Sequence, residues 1–461
     1  MSGRINRFFK GFFSERFFLS PERERLNRML NWGTLMMLAT IFSALVLIYH
    51  HGPAFHYDTY TYERAAVTLS QGEVDLWRTP LYPYLILIFR SLFGAAGPVM
   101  LCVFQQLLFL LSVMLLRHIF RIARTGRRTG IILTAFYLFV PYMLCWWYMC
   151  HIATELVSCF LFMLLGWLSI RIIVNPGSLK ISDALWITLL LFLMVAVRPA
   201  NIYLLPVYAL IWLIVIISPK WRAAAGLVGL AGVIAVSAAV WEYRNTIKSR
   251  YGYDDITIIS YINNYHFVRH YGLMKPELVG NPELRRMLHD FNAFSDEDRY
   301  LPVNHYFNET HALLQIDSCA VEMQHVVNKA LVHDPANTGR ALTSRLRADV
   351  SSNLLTINPD RWIYVALVPY MPNMGCVYLF LLICLAGIIV VWIRRRRFPW
   401  LVAYLWGMVF TSHIAAMLGA MSDWARLTYG SFPFLLLLFA KALGCFISIV
   451  RSTDNRSSAP N

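Results

Sequence analysis

The chain contains 461 residues, of which 58% are hydrophobic and only 15% are charged, and its formal net charge is +15. Soluble globular proteins are about 45–50% apolar and about 25% charged, so this composition excludes an ordinary soluble domain and predicts an integral membrane protein. The eight cysteines include no Cys-x-x-Cys pair, so nothing in their spacing indicates a zinc or disulfide framework.

The apolar residues are concentrated in runs that are long enough to be membrane spans. A span needs about 20 mostly apolar residues to cross ~30 Å of hydrocarbon. The first run is too long for the 7–15-residue core of a cleavable signal peptide, so it is predicted to be a signal anchor. The sequence therefore predicts an all-α polytopic membrane protein with about ten transmembrane helices, at residues 31–50, 97–120, 130–148, 152–174, 184–198, 200–218, 223–241, 374–393, 399–419 and 429–450.

Basic residues indicate which side of the membrane each connection occupies, because cytoplasmic loops carry an excess of Lys and Arg. If residues 184–218 form a hairpin of two spans, every basic cluster falls on the cytoplasmic side; with one span there, the last cluster would face outward. We therefore predict two spans, with both termini in the cytoplasm. The basic clusters are the N-terminal tail, residues 121–128, Lys220 with Arg222, and Arg394–Arg397.

This topology divides the chain into five predicted regions. The long segment, residues 242–373, carries 13 Lys and Arg against 15 Asp and Glu. It is nearly neutral, so the basic excess belongs to the cytoplasmic rim; this excludes nucleic acid as a partner and predicts contact with anionic lipid. The regions are a cytoplasmic tail (1–30), a transmembrane core (31–241) that includes the first outer loop (51–95), the extracytoplasmic long segment, C-terminal transmembrane helices (374–450) and a cytoplasmic tail (451–461).

The first outer loop is predicted to contain two short helices. The first covers residues 58–71, with Asp58 as its N-cap and Gly72 just after its end. The second begins at Thr79 and Pro80, because threonine is a common N-cap residue and proline favours the first helical position. The loop therefore places an acid at the start of one helix and a basic residue, Arg78, immediately before the other.

These two positions are suited to chemistry on a phosphate-linked substrate. A helix N-terminus beside an arginine binds phosphate, and a carboxylate such as Asp58 near it suits general-base chemistry on a hydroxyl. A structural alternative remains open, in which Asp58 only caps its helix and Arg78 pairs with Asp75 or with lipid headgroups.

Six short motifs follow one another along the chain: Asp58-Thr59-x-x-Tyr62, Arg78-Thr79-Pro80-x-Tyr82-Pro83, Thr154-Glu155, Arg198-Pro199-Ala200-Asn201, Trp241-x-x-Arg244-Asn245 and Asp423-x-x-Arg426. Their order and topology resemble bacterial GT-C glycosyltransferases of the protein O-mannosyltransferase-like and aminoarabinose-transferase-like groups. The resemblance implies a GT-C type helix bundle with a mixed, mainly helical extracytoplasmic segment. It also implies a multi-pass protein of the bacterial inner membrane with an extracytoplasmic active site.

The activity implied by the resemblance is the inverting transfer of a sugar from a polyprenyl-phosphate donor to a glycan, lipid or protein acceptor. Asp58 would act as the catalytic base or position the acceptor. The last motif departs from the usual Arg-Tyr-x-x-Pro pattern, since Leu427 follows Arg426 here. The donor phosphate would be bound by Arg78, Arg244 and Arg426, and the substrate pocket would include Tyr62, Tyr82, Glu155 and Arg198.

Other functions fit parts of the sequence. A transporter or flippase of lipid-linked sugars would also have many spans, but we find no internal repeat in the chain. An O-antigen polymerase or ligase would be expected to depend on arginine and histidine in the large loop.

His266 and His270 have the i,i+4 spacing of two metal ligands, with Glu309 as a candidate third. No cofactor is required by the sequence, and a divalent metal ion remains a possibility.

Overall fold

The structure is a computed structural model, and it describes residues 32–49, 57–135, 151–273, 275–280, 312–351, 373–396, 398–419 and 429–457, with residues 53, 137, 282 and 285. These residues are mostly helical and contain no β-strand. The helices are α1 (Trp32–Tyr49), α2 (Tyr57–Ser70), α3 (Leu81–Phe93), α4 (Gly97–Ile122), α5 (Glu155–Val174), α6 (Ile181–Val197), α7 (Leu204–Ile217), α8 (Ala223–Tyr251), α9 (Ile258–His270), α10 (Ala312–His333), α11 (Pro335–Ser351), α12 (Met374–Arg395), α13 (Trp400–Gly419) and α14 (Phe432–Ser457).

Many of these helices are apolar enough to lie in a membrane. Three shorter apolar helices occur at Trp32–Leu45, Ile181–Val197 and Phe432–Gly444. Within the part of the chain that the structure describes, six helical stretches are long enough to span a bilayer: Leu81–Ile122, Glu155–Val174, Pro199–Ile217, Ala223–Tyr251, Met374–Arg394 and Trp400–Met417. The prediction of an all-α polytopic membrane protein is therefore confirmed.

Helix α8 extends ten residues beyond the predicted end of its span at residue 241. It has 29 residues, and at 1.5 Å per residue it is about 43 Å long, more than the ~30 Å of hydrocarbon. Its last turns, which carry Arg244 and Lys248, lead directly into the long segment. The predicted third span is described only as far as residue 137, so the aromatic run after it lies outside the described residues.

The transmembrane helices pack closely where small residues meet large ones. A Cβ at Gly229 of α8 would overlap the indole ring of Trp212 on α7. Trp212 is buried, with its ring at the contact between the two helices. Since protein interiors are packed at crystal-like density, this position accepts only glycine without a shift of the tryptophan.

Replacing Gly229 by alanine should therefore destabilise the protein. Forcing an extra carbon into a packed contact costs about 1–3 kcal/mol, and thermal unfolding in detergent would measure the loss. Gly387 on α12 is the matched control, because no atom lies within 4 Å of the Cβ it would acquire. Gly387→Ala should unfold at the same temperature as the native protein or higher, since alanine favours helix by about 1 kcal/mol. Equal stability of the two variants would contradict the packing argument.

A second hydrophobic cluster joins the first loop to the long segment. Leu76 and Trp77, which lie between α2 and α3, are buried together with residues of α8, α9, α10 and α11. The residues immediately before Arg78 thus pack in the core of the long segment. The long segment therefore lies against the turn that carries Arg78.

Candidate active site

The first loop forms two helices, α2 and α3, joined by a turn. Gly72 follows α2 as predicted, with φ +77°, a conformation that glycine adopts without strain. Both predicted N-caps are wrong. Helix α2 begins at Tyr57, so Asp58 lies inside its first turn. The residue before α3 is Pro80, which already has helical dihedral angles, and no side chain caps that helix.

Asp58 and Arg78, twenty residues apart, form an ion pair. Arg78 Nη2 donates to Asp58 Oδ1 at 2.6 Å. The side chain of Asp58 is 23% exposed and that of Arg78 is 12% exposed, so the pair is partly shielded but reachable from solvent. The side chain of Arg78 therefore pairs with Asp58, and Asp75 has a different role. The acidic residue and the basic residue predicted at two helix starts, Asp58 and Arg78, are thus in contact.

Two further side chains of α2 fix the orientation of Arg78. Its Nε donates to Thr61 Oγ1 at 2.8 Å and its Nη1 to the Tyr62 hydroxyl at 3.2 Å. The guanidinium also lies 4.1 Å from the centre of the Tyr62 ring, within the range of a cation–π interaction. Asp58, Thr61 and Tyr62 have the i, i+3, i+4 spacing of one helix face. One face of α2 thus binds three different nitrogens of one arginine.

Tyr62 connects this site to the helix bundle. Its hydroxyl shares a hydrogen bond with Thr154 Oγ1 at 3.3 Å, and its ring packs edge-on against Tyr82 at 4.9 Å between centroids. Tyr82 is fully buried and donates from its hydroxyl to Gln105 Oε1 at 2.5 Å. Tyr82 therefore packs against the ring of Tyr62, and Tyr62 is the tyrosine that contacts the ion pair.

A second ion pair is connected to the first through the contact between Tyr62 and Thr154. Glu155 begins α5, directly after the Thr154 that contacts Tyr62. Its Oε1 lies 3.8 Å from Nη2 of Arg198. As predicted, Arg198 lies where the helical structure is interrupted between α6 and α7. Both side chains are mostly buried. The contact between Tyr62 and Thr154 therefore brings four predicted site residues, Asp58, Arg78, Glu155 and Arg198, into one region.

Asp75 organises the turn that precedes Arg78. Its Oδ1 accepts hydrogen bonds from the backbone N–H groups of Trp77 and Arg78, each at 2.8 Å. Burial raises the pKa of the Asp75 carboxyl above its ordinary value, while Arg64 and the two N–H groups act in the opposite direction. That Asp75 shapes this turn was not predicted from the sequence. A signal was available, because the side chain of an aspartate in a turn commonly bonds the backbone two residues later.

Arg244 is placed in a different ion pair. Its Nε donates to Asp254 Oδ1 at 2.9 Å, and Lys248 Nζ lies 3.3 Å from the other carboxylate oxygen. The hydrogen bond from Arg244 is the main reason that the pKa of Asp254 lies below its ordinary value. Arg244 thus pairs with Asp254, which follows the end of α8. Asp423 and Arg426 lie outside the described residues, and a donor-binding role for Arg244 and Arg426 stays a prediction.

The proposed metal ligands are only partly described. His270 is exposed, with its ring edge-on to Tyr271. The side chain of His266 and the whole of Glu309 are outside the described part of the chain. Among the residues that the structure does cover, no three His, Cys, Asp or Glu side chains are grouped so that they could hold a metal ion.

Neither a protein-family model nor a curated protein matches the chain. Among solved structures, it is similar to an oligosaccharyltransferase of Archaeoglobus fulgidus in the apo form, with 13% identity and a TM-score of 0.41 over 93% of this chain and 52% of that one. The same enzyme tethered with an acceptor peptide containing the NVT sequon matches with 12% identity, a TM-score of 0.40, and 93% and 51% coverage. The chain spans about half the length of these neighbours, and similarity at this level establishes neither a family nor an activity.

Proposed function

We propose that the protein is an integral-membrane glycosyltransferase that transfers a sugar from a polyprenyl-phosphate donor to a glycan, lipid or protein acceptor. The observation that carries the proposal is the ion pair between Asp58 of α2 and Arg78 of the turn before α3, with its 2.6 Å contact. It supplies a carboxylate and a guanidinium within one partly exposed site of a membrane protein. Such a transfer needs these two groups, one for the acceptor hydroxyl and one for the donor phosphate.

The donor phosphate would compete with Asp58 for Arg78. Arginine presents a planar set of N–H groups that matches phosphate as well as carboxylate. Two of the nitrogens of Arg78 are already directed by Thr61 and Tyr62, so the guanidinium is held in place while its third nitrogen changes partner. Binding of the donor would therefore release the Asp58 carboxylate from its ion pair.

The released carboxylate then acts as the general base. It accepts the proton of the acceptor hydroxyl while the acceptor oxygen forms a bond to the anomeric carbon of the sugar. The bond between that carbon and the phosphate oxygen breaks, and its electron pair leaves with the polyprenyl phosphate, whose charge Arg78 stabilises. A single displacement of this kind inverts the anomeric configuration. The Glu155–Arg198 pair beside Thr154 would line the neighbouring part of the pocket.

We place this site on the extracytoplasmic side of a bacterial inner membrane. The basis is the distribution of basic clusters, which put both termini in the cytoplasm and the first loop outside. The long segment would then lie above the site on the acceptor side. A polyprenyl donor could extend its apolar chain along the exposed leucines and isoleucines of the transmembrane helices while its phosphate reaches Arg78.

Reconstitution tests the proposal directly. The purified full-length protein in proteoliposomes, supplied with polyprenyl phosphates carrying a labelled hexose or pentose and with an envelope glycan extract, should release polyprenyl phosphate and label the acceptor. Empty liposomes are the control. Movement of the intact lipid-linked sugar across the bilayer without conversion would instead indicate a transporter or flippase. Activity that requires His270 but tolerates Asp58→Asn would indicate a polymerase or ligase.

A further inference from the structure

The turn that carries Arg78 is bound along its backbone by the end of α8 and by residues of the long segment. Four consecutive carbonyl groups of this turn each accept a hydrogen bond from residues about 170–180 positions later in the chain. The donors and acceptors are the Tyr251 hydroxyl to Val74 O (2.8 Å), the Tyr243 hydroxyl to Asp75 O (3.4 Å), Ile258 N to Leu76 O (2.9 Å) and Thr257 Oγ1 to Trp77 O (2.6 Å).

The side chains of the turn reinforce this contact. Leu76 and Trp77 are 2% and 5% exposed, and they belong to the hydrophobic cluster of the long segment. On the inner side, the carboxylate of Asp75 binds the N–H of Arg78 itself. The carbonyl groups of residues 74–77 therefore accept hydrogen bonds from the long segment. The N–H groups of Trp77 and Arg78 donate to Asp75 within the turn.

Thr257 makes the contact nearest to Arg78. Its hydroxyl donates to the carbonyl of Trp77, the residue directly before Arg78, and the threonine is buried. A buried carbonyl that loses its donor costs about 1–3 kcal/mol, and the turn would relax to recover a partner. Because catalytic groups lose much of their effect when misplaced by about 1 Å, such a relaxation would weaken the contact between Arg78 and a phosphate.

We propose that Thr257 is a positioning residue, through which the long segment fixes Arg78 for the phosphate of the lipid-linked donor. The inference rests on the proposed function and adds to it that donor affinity depends on a residue outside the transmembrane bundle. Thr257 acts through the Trp77 carbonyl and the turn, and touches neither the substrate nor the reacting atoms.

The test compares variants of the full-length protein in nanodiscs. Thr257→Val removes the hydroxyl, Thr257→Ser keeps it, and Thr246→Val is the matched control, because exposed Thr246 donates only within its own helix, to Glu242 O. Binding of polyprenyl monophosphate is measured beside inorganic phosphate, together with KM and kcat for a labelled donor. Thr257→Val should raise Kd and KM about tenfold, the effect of one hydrogen bond, and should also lower kcat, because Arg78 stabilises the charge of the leaving polyprenyl phosphate. Thr257→Ser and Thr246→Val should behave as the native protein.

A double mutant separates positioning from a general loss of structure. If Thr257 acts through Arg78, adding Thr257→Val to Arg78→Gln should weaken polyprenyl-phosphate binding no further, whereas independent effects would add. Additive losses would overturn the inference. So would native Kd and KM for Thr257→Val when Arg78→Gln impairs both, and that result would leave the proposed function intact. Native binding by Arg78→Gln would instead count against the proposed function itself.

A second variant covers the case in which Thr257→Val does not fold. Tyr251→Phe removes only the hydroxyl that donates to Val74 O, three residues further from Arg78 than Trp77. It should raise Kd for polyprenyl monophosphate in the same direction by a smaller factor, with Thr246→Val again unchanged. An unchanged Kd for a folded Tyr251→Phe protein would contradict positioning of Arg78 by these contacts.

Discussion

Replacing Asp58 by asparagine should abolish sugar transfer while leaving the protein folded. Asparagine has the same shape and its amide oxygen can still accept the hydrogen bond from Arg78, so the contact between α2 and the turn before α3 is retained. It cannot take up the proton of the acceptor hydroxyl. Removing a general base lowers kcat by about 10²–10⁴-fold, and the rate of polyprenyl phosphate release in proteoliposomes would measure that loss.

The same two helices provide a matched control for this variant. Glu63 of α2 and Arg90 of α3 form another ion pair with a 2.6 Å contact. If Asp58 only joins the helices, Glu63→Gln and Asp58→Asn should have similar effects on rate and on unfolding temperature. We expect Glu63→Gln to keep the native rate and Asp58→Asn to lose it at a similar unfolding temperature. Full activity of Asp58→Asn would refute the assignment of Asp58 as the base.

The sequence predicted the helical elements well because their signals are local. Runs of about 20 apolar residues mark spans whatever the tertiary structure, and described helices occupy nine of the predicted spans. The end of α6 at Arg198 and the glycine that follows α2 were also predicted from local rules. The caps of α2 and α3 were not, because helix ends shift by one or two residues under tertiary contacts.

The contact between Asp58 and Arg78 could not be predicted from the sequence. Both residues were candidates for the site, but their pairing depends on the turn that reverses the chain between α2 and α3. That turn is shaped by Asp75 from within and by Thr257 from 180 positions away. Local patterns carry no information on a contact at that separation, so Thr257 could not have been found from the sequence.

The two ion pairs also suggest how substrate binding and base activation are linked. Before a donor arrives, each of the two carboxylates, Asp58 and Glu155, is paired with one arginine. A phosphate that takes the place of Asp58 on Arg78 would add negative charge beside the freed carboxylate. The neighbouring negative charge makes that carboxylate a stronger base, so the proton acceptor would become active only when the donor is in place.

Replacing Arg78 by lysine should impair transfer although the positive charge is kept. Arg78 uses three different nitrogens for Thr61, Tyr62 and Asp58, and the single ammonium of lysine cannot reproduce that fork. Losing one preorganised donor to a developing oxyanion costs about 10²–10³-fold in kcat, and we expect Arg78→Lys to fall in that range and Arg78→Gln to lose at least as much. Steady-state kinetics with a labelled donor would measure both variants.

Arg90→Lys is the matched control, since Arg90 pairs with Glu63 between the same two helices and is more exposed than Arg78. Exposed ion pairs contribute about 0–1 kcal/mol, so Arg90→Lys should keep native kinetics and nearly native stability. An Arg78→Lys protein with native kcat and KM would contradict phosphate binding by the guanidinium of Arg78. In that case the contacts of Arg78 with Thr61 and Tyr62 would serve only to join α2 to α3, and the phosphate site would have to be sought at another arginine.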